Sequence, residues 1–214
     1  MIAGVVLAGG GARRLGGIDK TLLILDGPLG DPLGGPLGGP LGGKTILARV
    51  LAALDLPCVA ISANGDPARF AVHGCPVLPD GMFAGEGPLA GVLAGLDWGF
   101  SLGACAVLTV PGDTPFVPSG LAAALAPPPA CAASGGRTHF LVALWPVAVR
   151  EALRAGLSAP GPRHAGRFAA AIGMRQVDFP AAPCDPFLNV NTQADLETAR
   201  AIASRMGGRM GRQA

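Results

Sequence analysis

The chain has 214 residues, half of them hydrophobic, with a formal net charge of +2 and no tyrosine. The near-neutral balance and sparse aromatics exclude a nucleic-acid footprint. Mean hydropathy is +0.47, yet Ala, Gly and Pro interrupt every apolar stretch short of the roughly 18 residues a membrane-spanning helix needs. Five scattered cysteines, never in a C-x-x-C pair, argue for reduced thiols in the cytoplasm and against a zinc site. The amino terminus lacks the basic flank of a signal peptide.

Residues 2–7 are an apolar run of buried-strand type, and they end in Leu7-Ala8-Gly9-Gly10-Gly11-Ala12-Arg13-Arg14-Leu15-Gly16-Gly17-Ile18-Asp19-Lys20. Glycines let backbone N–H groups approach phosphate oxygens with no Cβ in the way. Arg13, Arg14 and Lys20 supply positive charge, so the loop suits a triphosphate. Lys20 and Lys44 are the only lysines among sixteen basic residues, which singles out the one inside the loop. The alternative is a glycine turn with solvated charges.

After a short apolar segment at 22–25 comes a tetrapeptide array over 28–43, Pro-Leu-Gly-Asp and then Pro-Leu-Gly-Gly three times. Two glycines per unit make helix and strand unfavourable, so it reads as a low-complexity surface-loop insertion. Lengthening a loop costs only about 0.6 kcal/mol per doubling. Its end, Gly38 to Thr45, spells G-x-x-x-x-G-K-[ST]. A repeat precedes that motif instead of a strand, however, and Pro40 removes an N–H donor. A P-loop GTPase using Lys44 is therefore the rival reading.

Residues 45–54 place Ile46, Leu47, Val50, Leu51 and Leu54 at helical spacing. Strands are expected at 58–62 and 75–78, and a helix at 88–98 with proline in its first turn. A central buried strand follows at 104–110, a helix at 119–125, a strand at 140–145 and a helix at 146–157 beginning at Pro146. The last helix, 192–206, opens on Thr192 and Asp195 in a loose capping-box pattern. This alternation predicts a three-layer α/β fold, a mostly parallel sheet flanked by helices, as one domain over 1–214. Such sheets bind ligands beyond the carboxyl ends of their strands.

The charged motifs fall at those ends. Asp113, in Pro111-Gly112-Asp113-Thr114-Pro115, follows the central strand and is placed to hold Mg²⁺ beside phosphates; the plainer reading is a helix cap. Asp80 is a second carboxylate, suited to a ribose, a base or the metal, or else a turn residue before Gly81. Gly85-Glu86-Gly87-Pro88-Leu89-Ala90-Gly91 is a second glycine-rich loop running into a helix, where negative charge is favoured and a flat base could be walled. Asn189 and Asn191 sit at alternate positions before the last helix, where two amides on one side could grip a polar substrate. His139 could meet an anionic second substrate, although a structural hydrogen bond is the commoner use of a lone histidine. His164 and Arg163 are weaker candidates still. Trp98 and Trp145 read as core or helix-edge aromatics.

In order and spacing these motifs resemble the molybdenum cofactor guanylyltransferases, the MobA-type nucleotidyltransferases, from Ile2 to about Ala203 apart from the repeat. The resemblance implies a Rossmann-like nucleotidyltransferase fold that uses GTP and Mg²⁺. It implies transfer of GMP to the terminal phosphate of molybdopterin, releasing pyrophosphate. Leu7, Ala8, Gly9 and Gly10 then match the nucleotide loop, Lys20 its lysine, Asp80 an acidic nucleotide contact and Asp113 the metal ligand. Gly87 lies in the matching Gly-Pro-Leu-Ala-Gly loop, and Asn189 and Asn191 match a pair on the pterin side. Ser62 stands where some members carry an asparagine that contacts nucleotide, and Asn64 matches the following amide. Arg13 and Arg14 join Lys20 in neutralising the leaving pyrophosphate. Transient contact with cofactor-delivery proteins or apo-molybdoenzymes is also implied. Two alternatives remain: a CTP-dependent relative, which tends to show Leu-Ala-Ala-Gly and Asp-Met-Pro, and a non-catalytic molybdopterin carrier.

Overall fold

The computed structural model describes residues 1–9, 19–25, 44–161 and 163–210, with side chains to 206. Gly10, Arg13, Arg14 and the 28–43 array lie outside the described residues.

Among the described residues, seven strands form one sheet in the order β3-β2-β1-β4-β6-β5-β7. They are β1 (Ile2–Leu7), β2 (Val59–Ser62), β3 (Val77–Leu78), β4 (Ala106–Pro111), β5 (Ala130–Ser134), β6 (Arg137–Pro146) and β7 (Arg175–Phe179). β1 pairs in parallel with β2 and β4, β2 with β3, and β5 with β7, while β6 runs antiparallel to both neighbours. The central strands are nearly continuous apolar runs because helices cover both faces, with Thr109 and Ser62 as buried polar exceptions. From Ala106 to Val110, β4 is buried at every residue.

Alternation along β1 divides the core. Val6 and Ala8 pack with α1 (Ile46–Leu54) and α3 (Leu121–Leu125) on one face. Ala3 and Val5 pack on the other with α2 (Pro88–Ser101) and α4 (Arg150–Ser158), and α5 (Ala165–Ala171) joins through half-buried side chains. The last helix, α6 (Gln193–Met210), docks through Leu196, Ala199 and Ala203 on Leu23, Leu25 and Ile46. The expected three layers and mostly parallel sheet are therefore present.

Three elements were not anticipated. β5 reads Ala-Cys-Ala-Ala-Ser, with no β-branched residue to mark it. β7 is an edge strand with little buried surface, and α5 is only seven residues long. One boundary needs correction: Pro146 ends β6, a 3₁₀ turn over Val147–Val149 follows, and α4 begins only at Arg150. The pull of sheet pairing with Ala106 outweighs the helix-starting preference of proline.

Register is what builds the site. Leu7 lies opposite Ser62 and Pro111, and Ser62 lies opposite Leu78. Four parallel strands thus end side by side, and their following loops emerge together. The chain runs outward from β1 to β3 and then returns to place β4 on the other side of β1. The crevice beside β1 is therefore a topological switch point, the usual ligand position of open α/β sheets.

Candidate active site

A cleft of about 330 Å³ lies at that point. Leu7, Ala8, Gly9, Lys20, Ser62, Asp80, Gly87 and Asp113 all line it, so eight of the residues singled out in the sequence meet in one place.

The first loop leaves β1 tightly. Ala8 N–H donates to the Ser62 carbonyl at 2.8 Å. A Cβ on Gly9 would come within 2.9 Å of the Ala63 Cα, a backbone approach that only glycine permits. The Asp19 carboxylate accepts from the Thr21 N–H and hydroxyl and so caps the 3₁₀ turn Lys20–Leu22. That turn aims Lys20 across the cleft. Its Nζ donates to Asp113 Oδ2 at 2.6 Å and to Asn191 Oδ1 at 2.5 Å. An ammonium has three N–H donors, so one remains for a ligand oxygen.

Asp113 does not cap a helix; α3 begins at Leu121 after Gly120. Its backbone carbonyl accepts from Val190 N–H at 2.9 Å, which fastens the segment carrying the two asparagines beside it. The other carboxylate oxygen, Oδ1, is buried with no hydrogen-bond partner among the described residues. Buried polar atoms are seldom left so, and a bare carboxylate oxygen beside a cleft suits a hard cation.

Asp80 is both a turn residue and a site residue. Its carbonyl accepts from Phe83 N–H, while its carboxylate accepts from Asn64 Nδ2 at 2.6 Å and from the Ser62 hydroxyl at 3.4 Å. The second glycine loop delivers Gly87 to the cleft at the start of α2. Glu86 instead pairs with Arg163 at 2.9 Å, which accounts for that arginine.

Asn189 and Asn191 are both exposed and outside the cleft lining, but Asn191 reaches the site through Lys20. Residues 191–195 form the expected capping box: Asn191 and Thr192 N–H both donate to Asp195 Oδ2, and Asp195 N–H donates to Thr192 Oγ1. Those backbone donors hold the Asp195 carboxyl below the usual carboxylate range.

His139 takes the structural role. Its Nε2 lies 2.9 Å from Ser134 Oγ, and its ring packs 5.1 Å from that of Phe187. Burial pushes its pKa down; Asp185 opposes this shift and Arg137 adds to it, which favours the neutral ring over an anion-binding cation. His164 stands before α5 without a capping bond. Trp145 is fully buried, with Nε1 donating to Thr109 Oγ1 at 2.8 Å, and Trp98 is half-buried.

Of the rival phosphate motif, Lys44 is exposed and outside the cleft lining, and Thr45 Oγ1 is spent on the Ala48 N–H as the cap of α1. Residues 38–43 lie outside the described residues. Gly91, Thr21 and Leu141 also line the cleft. Gly91 belongs to a motif already noted, whereas nothing in the local sequence marks Leu141, which arrives on the antiparallel β6.

Residues 4–174 match the family model described as the MobA-like NTP transferase domain. A protein of Acidiphilium cryptum named molybdenum cofactor guanylyltransferase is 53% identical over 199 residues, covering 92% of this chain and 93% of that one. A Bradyrhizobium protein of the same name is 41% identical over 216 residues, covering 95% and 93%. The crystal structure of molybdopterin-guanine dinucleotide biosynthesis protein A from Archaeoglobus fulgidus superposes with a TM-score of 0.65 at 19% identity, over 96% of this chain and 100% of that one. Fold and cleft together are those of a nucleotidyltransferase. The chain belongs to the MobA-like NTP transferase family, among relatives named molybdenum cofactor guanylyltransferase.

Proposed function

We propose that the chain transfers GMP from GTP to the terminal phosphate of molybdopterin. The observation that carries this reading is the meeting of Lys20 and Asp113 at 2.6 Å in the switch-point cleft, within a family whose relatives bear that activity in their names.

A molybdopterin phosphate oxygen bonds to the α-phosphorus of GTP in line, and the bond from that phosphorus to the β-bridging oxygen breaks. Pyrophosphate leaves with the electron pair. The nucleophile is already an anion, so no covalent enzyme group is needed; positioning and charge stabilisation suffice. The Ala8–Gly9 backbone packs against the nucleotide, and Lys20 turns its remaining N–H toward phosphate. Arg13 and Arg14 join it in neutralising the charge that develops on the leaving pyrophosphate. Asn191, and Asn189 two residues before it, face the pterin side.

Asp113 Oδ1, buried and without a hydrogen-bond partner among the described residues, would hold Mg²⁺, a cation that usually takes one or two carboxylates. The ion, when bound, supplies charge neutralisation at the phosphate oxygens. Five free cysteines support work in a reducing compartment, the cytoplasm. No helix among the described residues is long and apolar enough to cross a membrane. Handing the product on calls for transient contact with delivery proteins or apo-molybdoenzymes.

The test is a product assay with GTP, Mg²⁺ and molybdopterin, in which guanine dinucleotide and pyrophosphate should form together. Product with CTP but not GTP would overturn the base assignment. Nucleotide binding without product would favour a carrier. A thermal shift adds a check, because ligand at about a hundredfold over its Kd stabilises by roughly 2.7 kcal/mol.

A further inference from the structure

Asn64 lies two residues beyond the end of β2 and touches Asp80 at two points. The Asp80 backbone N–H donates to Asn64 Oδ1 at 3.0 Å, and Asn64 Nδ2 donates to Asp80 Oδ2 at 2.6 Å. A backbone N–H can only donate, so it dictates which end of the amide faces it and removes the usual ambiguity of an asparagine flip. The NH₂ group must then face the carboxylate. Arg69 holds the Asn64 carbonyl at 2.8 Å, which fixes the backbone behind the amide.

This clamp determines what Asp80 presents to the cleft. An ionised carboxylate accepts through about four lone-pair sites. One on Oδ2 is taken by Asn64, and one on Oδ1 is approached by the Ser62 hydroxyl at 3.4 Å. One acceptor on each oxygen is left, side by side and locked in rotation. Gly91 keeps the space before them open: a Cβ there would lie 2.5 Å from Ser62 Oγ and 3.5 Å from Asp80 Oδ1.

We infer that Asn64 is a specificity-determining residue, which by clamping Asp80 makes the cleft select a nucleobase with two adjacent N–H donors. Guanine offers that pair at N1–H and its 2-amino group. Hypoxanthine keeps only the first. Cytosine and adenine set a ring acceptor next to one amino donor, and the acceptor would face the carboxylate. This inference rests on the nucleotidyltransferase reading of the cleft and adds how the base is chosen.

Calorimetric binding of GTP, ITP and XTP with Mg²⁺ to the full chain tests it without a second substrate. The native chain should bind GTP about 10- to 100-fold more tightly than ITP, the worth of one hydrogen bond to a charged group. Asn64→Ala, checked for an unaltered melt, should bring that ratio to within about threefold, because a rotating carboxylate no longer offers two aligned acceptors. Asp80→Asn gives a gain that misfolding cannot mimic. Asn64 Nδ2 would orient the new amide oxygen toward itself, leaving an acceptor beside a donor, the match for the N1–H and 2-oxo group of xanthine. XTP should then bind better than GTP. A native GTP:ITP ratio in Asn64→Ala, or continued preference for GTP in Asp80→Asn, overturns the inference. If the native chain keeps the ratio but makes no guanine dinucleotide from molybdopterin, the proposed reaction fails and the base selector stands.

Discussion

The two carboxylates of the cleft follow strands on either side of the β2–β1 pair and are held by opposite means. Asp113 is bound by a cation, Lys20, and keeps one buried oxygen without a partner among the described residues. Asp80 is bound by a neutral amide and a hydroxyl. A charge pair with a bare oxygen beside it is suited to phosphates and a metal, whose own charges can displace or join it. A neutral clamp leaves the negative charge uncompensated but fixes its direction, which suits reading a base edge. Similar residues on similar loops are thus suited to different work by what they are bonded to.

Lys20→Ala and Asp113→Ala should break the charged side and give the largest effects. Removing one well-aimed charge donor typically costs about 2.7–4 kcal/mol of barrier, so turnover should fall roughly a hundredfold or more. Single-turnover rates with GTP would measure it. Near-native rates in Lys20→Ala would separate that wall from the chemistry.

A polar pair in the core, Thr109 and Trp145, provides the contrast. Thr109 Oγ1 accepts from Trp145 Nε1, both residues being fully buried, and donates to the carbonyl of half-buried Leu141. Thr109→Val keeps the shape and strands the indole N–H, which should cost about 1–3 kcal/mol and lower Tm by several degrees. The GTP:ITP ratio should not move. A changed ratio would mean that base selection depends on core stability and not on the clamp.

Asp195 sharpens the comparison through pH. Its native pKa is depressed by the Asn191 and Thr192 N–H groups. Its contribution is therefore complete above the unfolded value of about 4 and is lost as pH falls through the lower native value. Hydrogen exchange should show the 191 and 192 amides protected below pH 4 and released only in stronger acid. Release beginning near pH 5 would contradict the capping geometry. The smallest effect belongs to Lys44→Ala, whose turnover should stay within about twofold of native. Loss of activity there, with Lys20→Ala active, would move the phosphate site to the repeat.

Much of this was legible locally. Runs of apolar residues broken by Gly and Pro marked β1, β2, β4, α1 and α2, because burial on both faces leaves a continuous signal. The hairpin of β5 and β6 was not recognised, although Gly135-Gly136 between the strands is the kind of turn that joins them. Small side chains in β5 carry no strand signature, and only pairing with β6 and β7 makes it one. His139 could not be resolved from its neighbours in sequence, because Ser134 reaches it across the hairpin and Asp185 and Phe187 from a distant loop.

By itself the sequence determined which chemical groups were available and roughly where strands would end, since glycine, proline and charge act over a few residues. Only the tertiary structure decided that Lys20 meets Asp113 across 93 positions and Asn191 across 171, and that Asn64 grips Asp80. The parallel register lines up four strand ends, and pairing between distant strands is a property of the whole sheet that no short segment encodes.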